Sequence, residues 1–247
     1  MAGTDNVKYN NDTEEEIKQK SLTEEIKEMQ LFMYAMIHDL KTPLSNLDMI
    51  FSLFKKDDLQ ERPELMKKAE IVLGNMRNTI DKLNKLMALR EGKQDDIKII
   101  DLNILFKELK TSEISSSLED VEVKVNFSKC PRICYPETYL KSILSNLINN
   151  AIKYSSDKRP LQIHMSSRKL GDRILLTVRD NGQGIDIAKE GKNLFQPFKK
   201  LSNSKGGSGL GLFLVKELVE KNNGHVIVDS TPDVGTTFTL YLNEYKM

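Results

Sequence analysis

Hydrophobic positions change their period once along this chain, near residue 95. From the N-terminal side, Leu22, Ile26, Met29, Met33, Met36, Leu40, Leu47, Ile50 and Phe54 fall on alternating steps of four and three. Pro43 occupies the seam position that interrupts the apolar series. A seam kept this long predicts a coiled-coil or bundle helix. The polar stretch "KKDDLQERP" then breaks it, with Pro63 suited to the first turn of a new helix. Leu65, Ala69, Val72, Met76, Ile80, Leu83 and Met87 continue at helical spacing as far as "REGK". Two long helices with a short polar link predict an antiparallel hairpin. One hairpin is too narrow to bury the seam together with Leu44 and Phe51 beside it. A homodimeric four-helix bundle is therefore expected, the alternative being a hairpin packed on its own C-terminal half.

After residue 95 the pattern becomes that of strands. "VEVKVNF" (121–127), "LQIHMSS" (161–167), "RILLTVRD" (173–180), "HVIVDS" (225–230) and "TTFTLYL" (236–242) alternate or run β-branched. Between them, "PETYLKSILSNLINNAIKYS" and "LGLFLVKELVEKNN" are helix-periodic. Helices grouped between irregularly spaced strands predict an α/β sandwich, with the helices on one face of a mixed sheet. The fold class is thus α+β: a helical hairpin over 17–95, then an α/β sandwich over 96–247. Residues 1–16 carry almost no apolar side chains and are expected to be disordered or a cloning remnant.

Composition narrows the function classes. The length of 247 residues suits one large domain or two ordinary ones, and the 39% hydrophobic and 30% charged content is that of a soluble chain rich in surface helix. A formal charge of +1 supplies no global field for gathering nucleic acid or anionic lipid. No apolar run approaches the roughly 20 residues that span a bilayer, and no signal peptide opens the chain. Cys130 and Cys134 are too few for a disulfide framework and read as reduced thiols, a redox role being the lesser alternative. A cytoplasmic location is expected.

Three stretches of the second half carry chemistry. In "NLINNAIKYS", Asn146 and Asn150 are four apart on one helix, and an amide oxygen is a neutral hard ligand suited to Mg²⁺ already neutralised by phosphates. In "RDNGQGI", a strand ends on Asp180, which can accept a hydrogen bond from an exocyclic amine. Gly182 and Gly184 would let the backbone approach a flat base. In "GGSGLGLFLV", glycines lead directly into a helix, offering N–H groups and the positive dipole end to phosphate oxygens. Each stretch has a plain alternative: polar surface, a common turn, or a flexible loop.

Their order decides between these. An asparagine helix, DxGxG and GxGxG in succession resemble the N, G1 and G2 boxes of the histidine-kinase ATP-binding domain, and "LFQPFKKL" (194–201) stands where that family has its F box. With these in place, "HDLKTPL" (38–44) resembles the phospho-accepting H box. The resemblance covers roughly residues 20–245 and identifies the kinase core of a two-component sensor histidine kinase. It implies a dimerisation and phospho-acceptor domain followed by an ATPase fold shared with type II topoisomerases and heat-shock chaperones. A degenerate nucleotide-binding scaffold and a stand-alone ATPase of the same fold are the competing readings. This sequence departs from the family pattern at Asp39, commonly Glu, at Ser208, commonly Thr, and at Tyr135, where an acidic residue is common.

The resemblance assigns roles by residue. His38 is the acceptor, attacking the γ-phosphoryl group through Nε2, with Asp39 taking or orienting the Nδ1 proton. From the seam, His38 falls at an outward heptad position, and Pro43 should bend the helix just beyond it. Thr42 matches the residue that positions water for dephosphorylating a response regulator. Asp180 is assigned to the adenine amine, Asn150 to Mg²⁺, and Asn146, Lys153 and Tyr154 to their vicinity. Gly182 and Gly184 line the base pocket. Gly207, Ser208, Gly209, Leu210 and Gly211 run along the phosphates. Residues 186–206 would form a mobile lid, with Lys199, Lys200 and Lys205 as phosphate contacts. The implied cofactors are ATP and Mg²⁺, and the implied partners a second copy and a receiver domain. The heptads reaching back to Leu22 predict an upstream sensor domain, so the full-length protein is expected to be anchored to a membrane through a region outside this segment. His164 and His225 lie in strand contexts and receive no chemistry.

Overall fold

The computed structural model describes residues 33–34, 37, 40–54, 62–90, 96–114, 121–199 and 209–245. The chain divides into two compact units, Met1–Met76 and Arg77–Met247. The division falls inside a helix.

In the first unit, helix α1 is described over 40–54 and runs through Pro43. Helix α2 (Arg62–Arg90) carries Pro63 and Glu64 in its first turn, where a missing N–H costs nothing and an acid meets the positive dipole end. Leu47, Ile50 and Leu65 are buried, while Leu40, Pro43, Phe54, Ala69, Val72 and Met76 are half-buried. The predicted seam is therefore the covered side of both helices. Further along α2 the covered side keeps the four-three step through half-buried Thr79 and buried Leu83 and Leu86, so the predicted Leu83 lies on it while Ile80 and Met87 are exposed. The sequence pattern takes two steps of four in succession, Val72 to Met76 to Ile80, and so falls one residue out of the 3.5 repeat that the covered face keeps.

The second unit contains β1 (Ile97–Asp101), α3 (Leu102–Leu109), a π-helical turn over Lys110–Ile114, β2 (Glu122–Lys129) and β3 (Arg132–Pro136). These are followed by α4 (Glu137–Lys153), β4 (Gln162–Leu170), β5 (Arg173–Asp180), α5 (Ile187–Glu190), α6 (Gly211–Glu220), β6 (His225–Thr231) and β7 (Gly235–Asn243). Strands order as β2-β4-β5-β7-β6, with β1 and β3 forming a separate two-stranded ribbon. The β2–β4 pair is parallel and the β4–β5, β5–β7 and β7–β6 pairs are antiparallel, giving the expected mixed sheet. Alternation sets its faces: Ile163, Met165 and Ser167 of β4 are buried while Gln162, His164 and Ser166 are exposed. Leu140, Ile143, Leu144, Leu147 and Ile148 of α4 and Leu214, Val215, Leu218 and Val219 of α6 complete the core.

The ribbon and α3 have no counterpart in the sequence reading. Each ribbon strand is 5 residues long and α3 only 8, too short to establish a period. Asp101 starts α3 by accepting from the N–H groups of Asn103 (2.9 Å) and Ile104 (3.3 Å). Tyr135, at the position read as a departure, is fully buried. Its hydroxyl donates to Leu218 O at 3.4 Å and accepts from Asn222 Nδ2 at 3.1 Å. The Tyr245 hydroxyl in turn donates to Asn222 Oδ1. Tyr135 therefore fastens the C-terminal end of α6 and the chain terminus to β3, and desolvation holds its phenol well above the ordinary value. No helix among the described residues is long and apolar enough to cross a membrane.

Candidate functional site

Helix α4 supplies one wall of the site. Asn146 is buried, and its Nδ2 donates to Ser142 O at 2.7 Å, leaving Oδ1 toward α6. A Cβ on Gly211 would stand 3.0 Å from that oxygen, so α6 begins against the asparagine. Asn150, one turn on, is half-buried, and its carboxamide has no hydrogen-bond partner among the described residues. At the helix end the Tyr154 N–H donates to Asn150 O at 2.9 Å, and Lys153 Nζ lies 4.8 Å from the Tyr154 ring centre.

The end of β5 supplies the opposite wall. Asp180 Oδ1 accepts from the Gly182 N–H at 2.8 Å, and the Thr236 N–H, opposite Asp180 in the β5–β7 ladder, favours its charged form. Burial pushes the Asp180 pKa up, and those two N–H groups offset the rise only in part. Gly182 is buried, and a Cβ there would stand 2.5 Å from Tyr154 O. Gln183 N–H donates to the same carbonyl at 2.9 Å. Gly184 adopts φ +68°, and a Cβ there would meet Thr231 O at 2.0 Å. At both glycines the position a Cβ would take is thus held by the protein's own carbonyls, so the fold itself requires glycine there.

Beyond the DxGxG loop, the stretch expected to be a mobile lid starts as α5 and a run of turns through residue 198. Asp186 caps α5, and its side-chain hydrogen bond to Lys189 holds its carboxyl below the ordinary value. Phe198 (φ +61°) donates its N–H to Gly209 O at 3.2 Å, so the two flanks of 199–208 meet there. Lys199 is exposed on one flank, while Leu210 is buried on the other. Lys200, Lys205, Gly207 and Ser208 lie outside the described residues, as do His38 and Asp39. Thr42 is exposed on α1 in the first unit.

Tyr154 O thus lies against Gly182, and the Asn146 side-chain oxygen lies against Gly211, 65 positions further along the chain, so α4 touches both glycine stretches. Two contributors carry no sequence signal. Arg159, in the polar loop after α4, donates from Nε to Asn181 O at 2.8 Å, and from Nη2 to Gly182 O at 2.9 Å and Asp233 O at 2.5 Å. Gly235 (φ +138°) lets the β6–β7 turn pass so close that a Cβ would lie 2.1 Å from Asp180 O. The donor set also fits the implied metal. No group of three or more His, Cys, Asp or Glu side chains among the described residues could hold an ion. A divalent cation here would take the neutral Asn150 oxygen and draw its remaining ligands from phosphate and water, the habit of Mg²⁺.

Residues 136–246 match the family model of histidine kinase-, DNA gyrase B- and HSP90-like ATPases. Over 217 residues the chain is 32% identical to the histidine protein kinase SaeS of Staphylococcus aureus, covering 84% of this chain and 61% of that protein. It is 28% identical over 222 residues to the alginate biosynthesis sensor protein KinB of Pseudomonas aeruginosa, covering 85% of this chain and 36% of KinB. The chain thus spans 36% to 61% of the length of these curated relatives. The solved structure of the Acinetobacter baumannii histidine kinase AdeS superposes with TM-score 0.66 at 18% identity, covering 85% of this chain and 98% of that one. The histidine kinase ThkA, solved in complex with the response regulator protein TrrA, gives TM-score 0.66 at 17% identity, covering 99% of this chain and 68% of that one. The fold is shared with both, and with its ATPase domain at 136–246 the chain belongs to the sensor histidine kinase family.

Proposed function

We propose that this chain is the cytoplasmic kinase core of a two-component sensor, binding ATP between α4 and the β5 loop and phosphorylating itself on His38. The observation that carries the reading is the convergence of three motifs distant in sequence: Tyr154 O against Gly182, and Asn146 Oδ1 against Gly211. The Asp180 carboxylate reads the adenine amine. The N-terminus of α6 and the glycines before it receive the phosphates, with Lys199, Lys200 and Lys205 as cationic contacts. Asn150 would hold Mg²⁺, which when bound would supply positive charge beside the phosphate oxygens. Neutral imidazole Nε2 of His38 then attacks the γ-phosphorus, the bond to the β,γ-bridging oxygen breaks, and ADP leaves while Asp39 takes the Nδ1 proton. The phosphoryl group passes on to an aspartate of a response regulator, with Thr42 positioning water for the reverse hydrolysis. ThkA, solved with its response regulator protein, supports this choice of partner.

Assembly follows from the helices. Ile37, Leu44 and Phe51 are seven residues apart and 62%, 53% and 58% exposed; Met66, Leu73, Ile80 and Met87 repeat the spacing at 57%, 44%, 43% and 55%. Two heptad-spaced apolar stripes left open to water support a homodimer through these faces. The test of function is labelling with γ-radiolabelled ATP. Wild type should retain acid-labile, base-stable phosphate, and His38→Ala should retain none while binding nucleotide normally. Label on His38→Ala, or ATP hydrolysis without label on wild type, would refute the assignment.

A further inference from the structure

The Arg159 guanidinium holds two backbone segments that are remote in sequence. One is the loop after β5, through Asn181 O and Gly182 O, and the other is the β6–β7 turn, through Asp233 O. The same two segments supply the N–H groups that face the Asp180 carboxylate, Gly182 with a 2.8 Å hydrogen bond on one side and Thr236 on the other. The bridge is closed by Asp233 N–H donating to Gln183 O at 2.6 Å, and the loop is tied back by Asn181 Nδ2 donating to Pro160 O at 3.0 Å. Only a planar fork reaches all three carbonyls at once; an ammonium is a point donor on a flexible stem. The adjacent Lys158–Asp233 ion pair spans the same gap at 3.0 Å, but its side chains are each 71% exposed, so solvent screens it.

We propose that Arg159 is a specificity-positioning residue, which touches no ligand and selects adenine over guanine by fixing the direction of the Asp180 carboxylate. The inference rests on the reading of Asp180 as the group that meets the base. A carboxylate offers only acceptors. Adenine presents an amine donor at C6 where guanine presents a carbonyl acceptor, so a carboxylate locked toward that edge accepts one base and repels the other. A carboxylate free to swing loses both the attraction and the repulsion. Arg159 makes the lock by holding both of its supports.

The test is calorimetric titration of the 247-residue chain with magnesium AMPPNP and magnesium GMPPNP. Arg159→Met should weaken AMPPNP binding about ten-fold, the scale of one hydrogen bond to a charged group, and tighten GMPPNP binding as the repulsion is lost. The preference for adenine then narrows by more than that factor. Lys158→Met should leave both affinities as they are, and Arg159→Lys should give an intermediate preference. If Arg159→Met does not fold, Arg159→Lys carries the same comparison. One result would overturn the inference alone: an unchanged adenine preference in the Arg159 variants, whether both affinities hold or both fall in equal proportion, the latter marking a merely structural residue. A wild-type chain that binds neither nucleotide, or both alike, would remove the base-pocket reading itself.

Discussion

Alanine at Gly184 would test whether the DxGxG glycines serve the fold or the ligand. At φ +68° the backbone lies in the left-handed region, and a Cβ would stand 2.0 Å from Thr231 O, 2.7 Å from Thr231 C and 3.1 Å from Pro232 Cα. All three neighbours are backbone, so no side chain can rotate away. Gly171, in the β4–β5 turn, is the natural control: φ +58°, with nothing within 4 Å of its Cβ position. There alanine costs only conformation, about 1–2 kcal/mol for a left-handed residue, less about 0.4–1 kcal/mol returned by a stiffer unfolded chain. Gly171→Ala should therefore destabilise by about 1 kcal/mol. Gly184→Ala bears the same cost plus about 1–3 kcal/mol for overpacking, about 2–4 kcal/mol in all, out of a typical total of about 5–15 kcal/mol. Urea unfolding of both variants reads the difference directly, provided the m-values agree. Nucleotide affinity of folded Gly184→Ala should fall as well, because relief of the overlap displaces the loop that carries the Gly182 N–H. Equal destabilisation of the two variants, with nucleotide binding lost only at Gly184, would show that the ligand and not Thr231 requires the space.

Asp180 gives a pH signature. Its folded pKa is raised by burial, so the stabilisation from its protonated form is complete below the unfolded carboxylate value and is lost as pH rises through the folded one. Asp180→Asn should thus melt higher than wild type at neutral pH, with the gap closing in acid, while losing adenine-nucleotide binding; a melting temperature lowered at every pH would refute the burial argument. Asn150→Ala should weaken nucleotide binding in a way that added Mg²⁺ partly restores, and metal-independent loss would remove it from the metal site. Phe51→Glu and Leu73→Glu, both at exposed stripe positions, should give folded monomers where wild type sediments as a dimer at micromolar concentration. A monomeric wild type would contradict the assembly.

How much of the fold was legible depended on how many residues repeated one rule. The α1–α2 seam could be read because a helix face repeats over many turns, and it was one residue out at Ile80 and Met87, where apolar side chains stand beside the four-three step that Thr79, Leu83 and Leu86 keep. Strands β4 to β7 were visible because the sheet has one buried and one wetter face, so alternation survives in the composition. The β1–β3 ribbon follows no such rule. It is held by pairing between residues more than 30 positions apart, such as Ile100 with Ile133, and pairing between short segments leaves no periodic trace.

The site divides along a similar line. Asp180, Asn146, Asn150 and the glycines could be chosen from the sequence because their chemistry suits a ligand and because their order matches a known pattern. Arg159 and Gly235 could not, since each acts only on backbone that folding brings near. Gly235 contributes no group at all; its missing Cβ lets the turn lie against Asp180 O, with the next atoms at 2.8 Å and 3.0 Å also backbone. Arg159 contributes charge, yet spends it on carbonyls. Both converge on the same carboxylate. Gly235 brings the Thr236 N–H within reach of Asp180, and Arg159 keeps the Gly182 N–H and the β6–β7 turn from separating. The direction of the Asp180 carboxylate is thus set through backbone that Arg159 and Gly235 hold in place. Substitution of Arg159 should alter which base is bound before it alters whether the domain folds, whereas Gly235→Ala, with its Cβ 2.1 Å from Asp180 O, should cost stability as Gly184→Ala does.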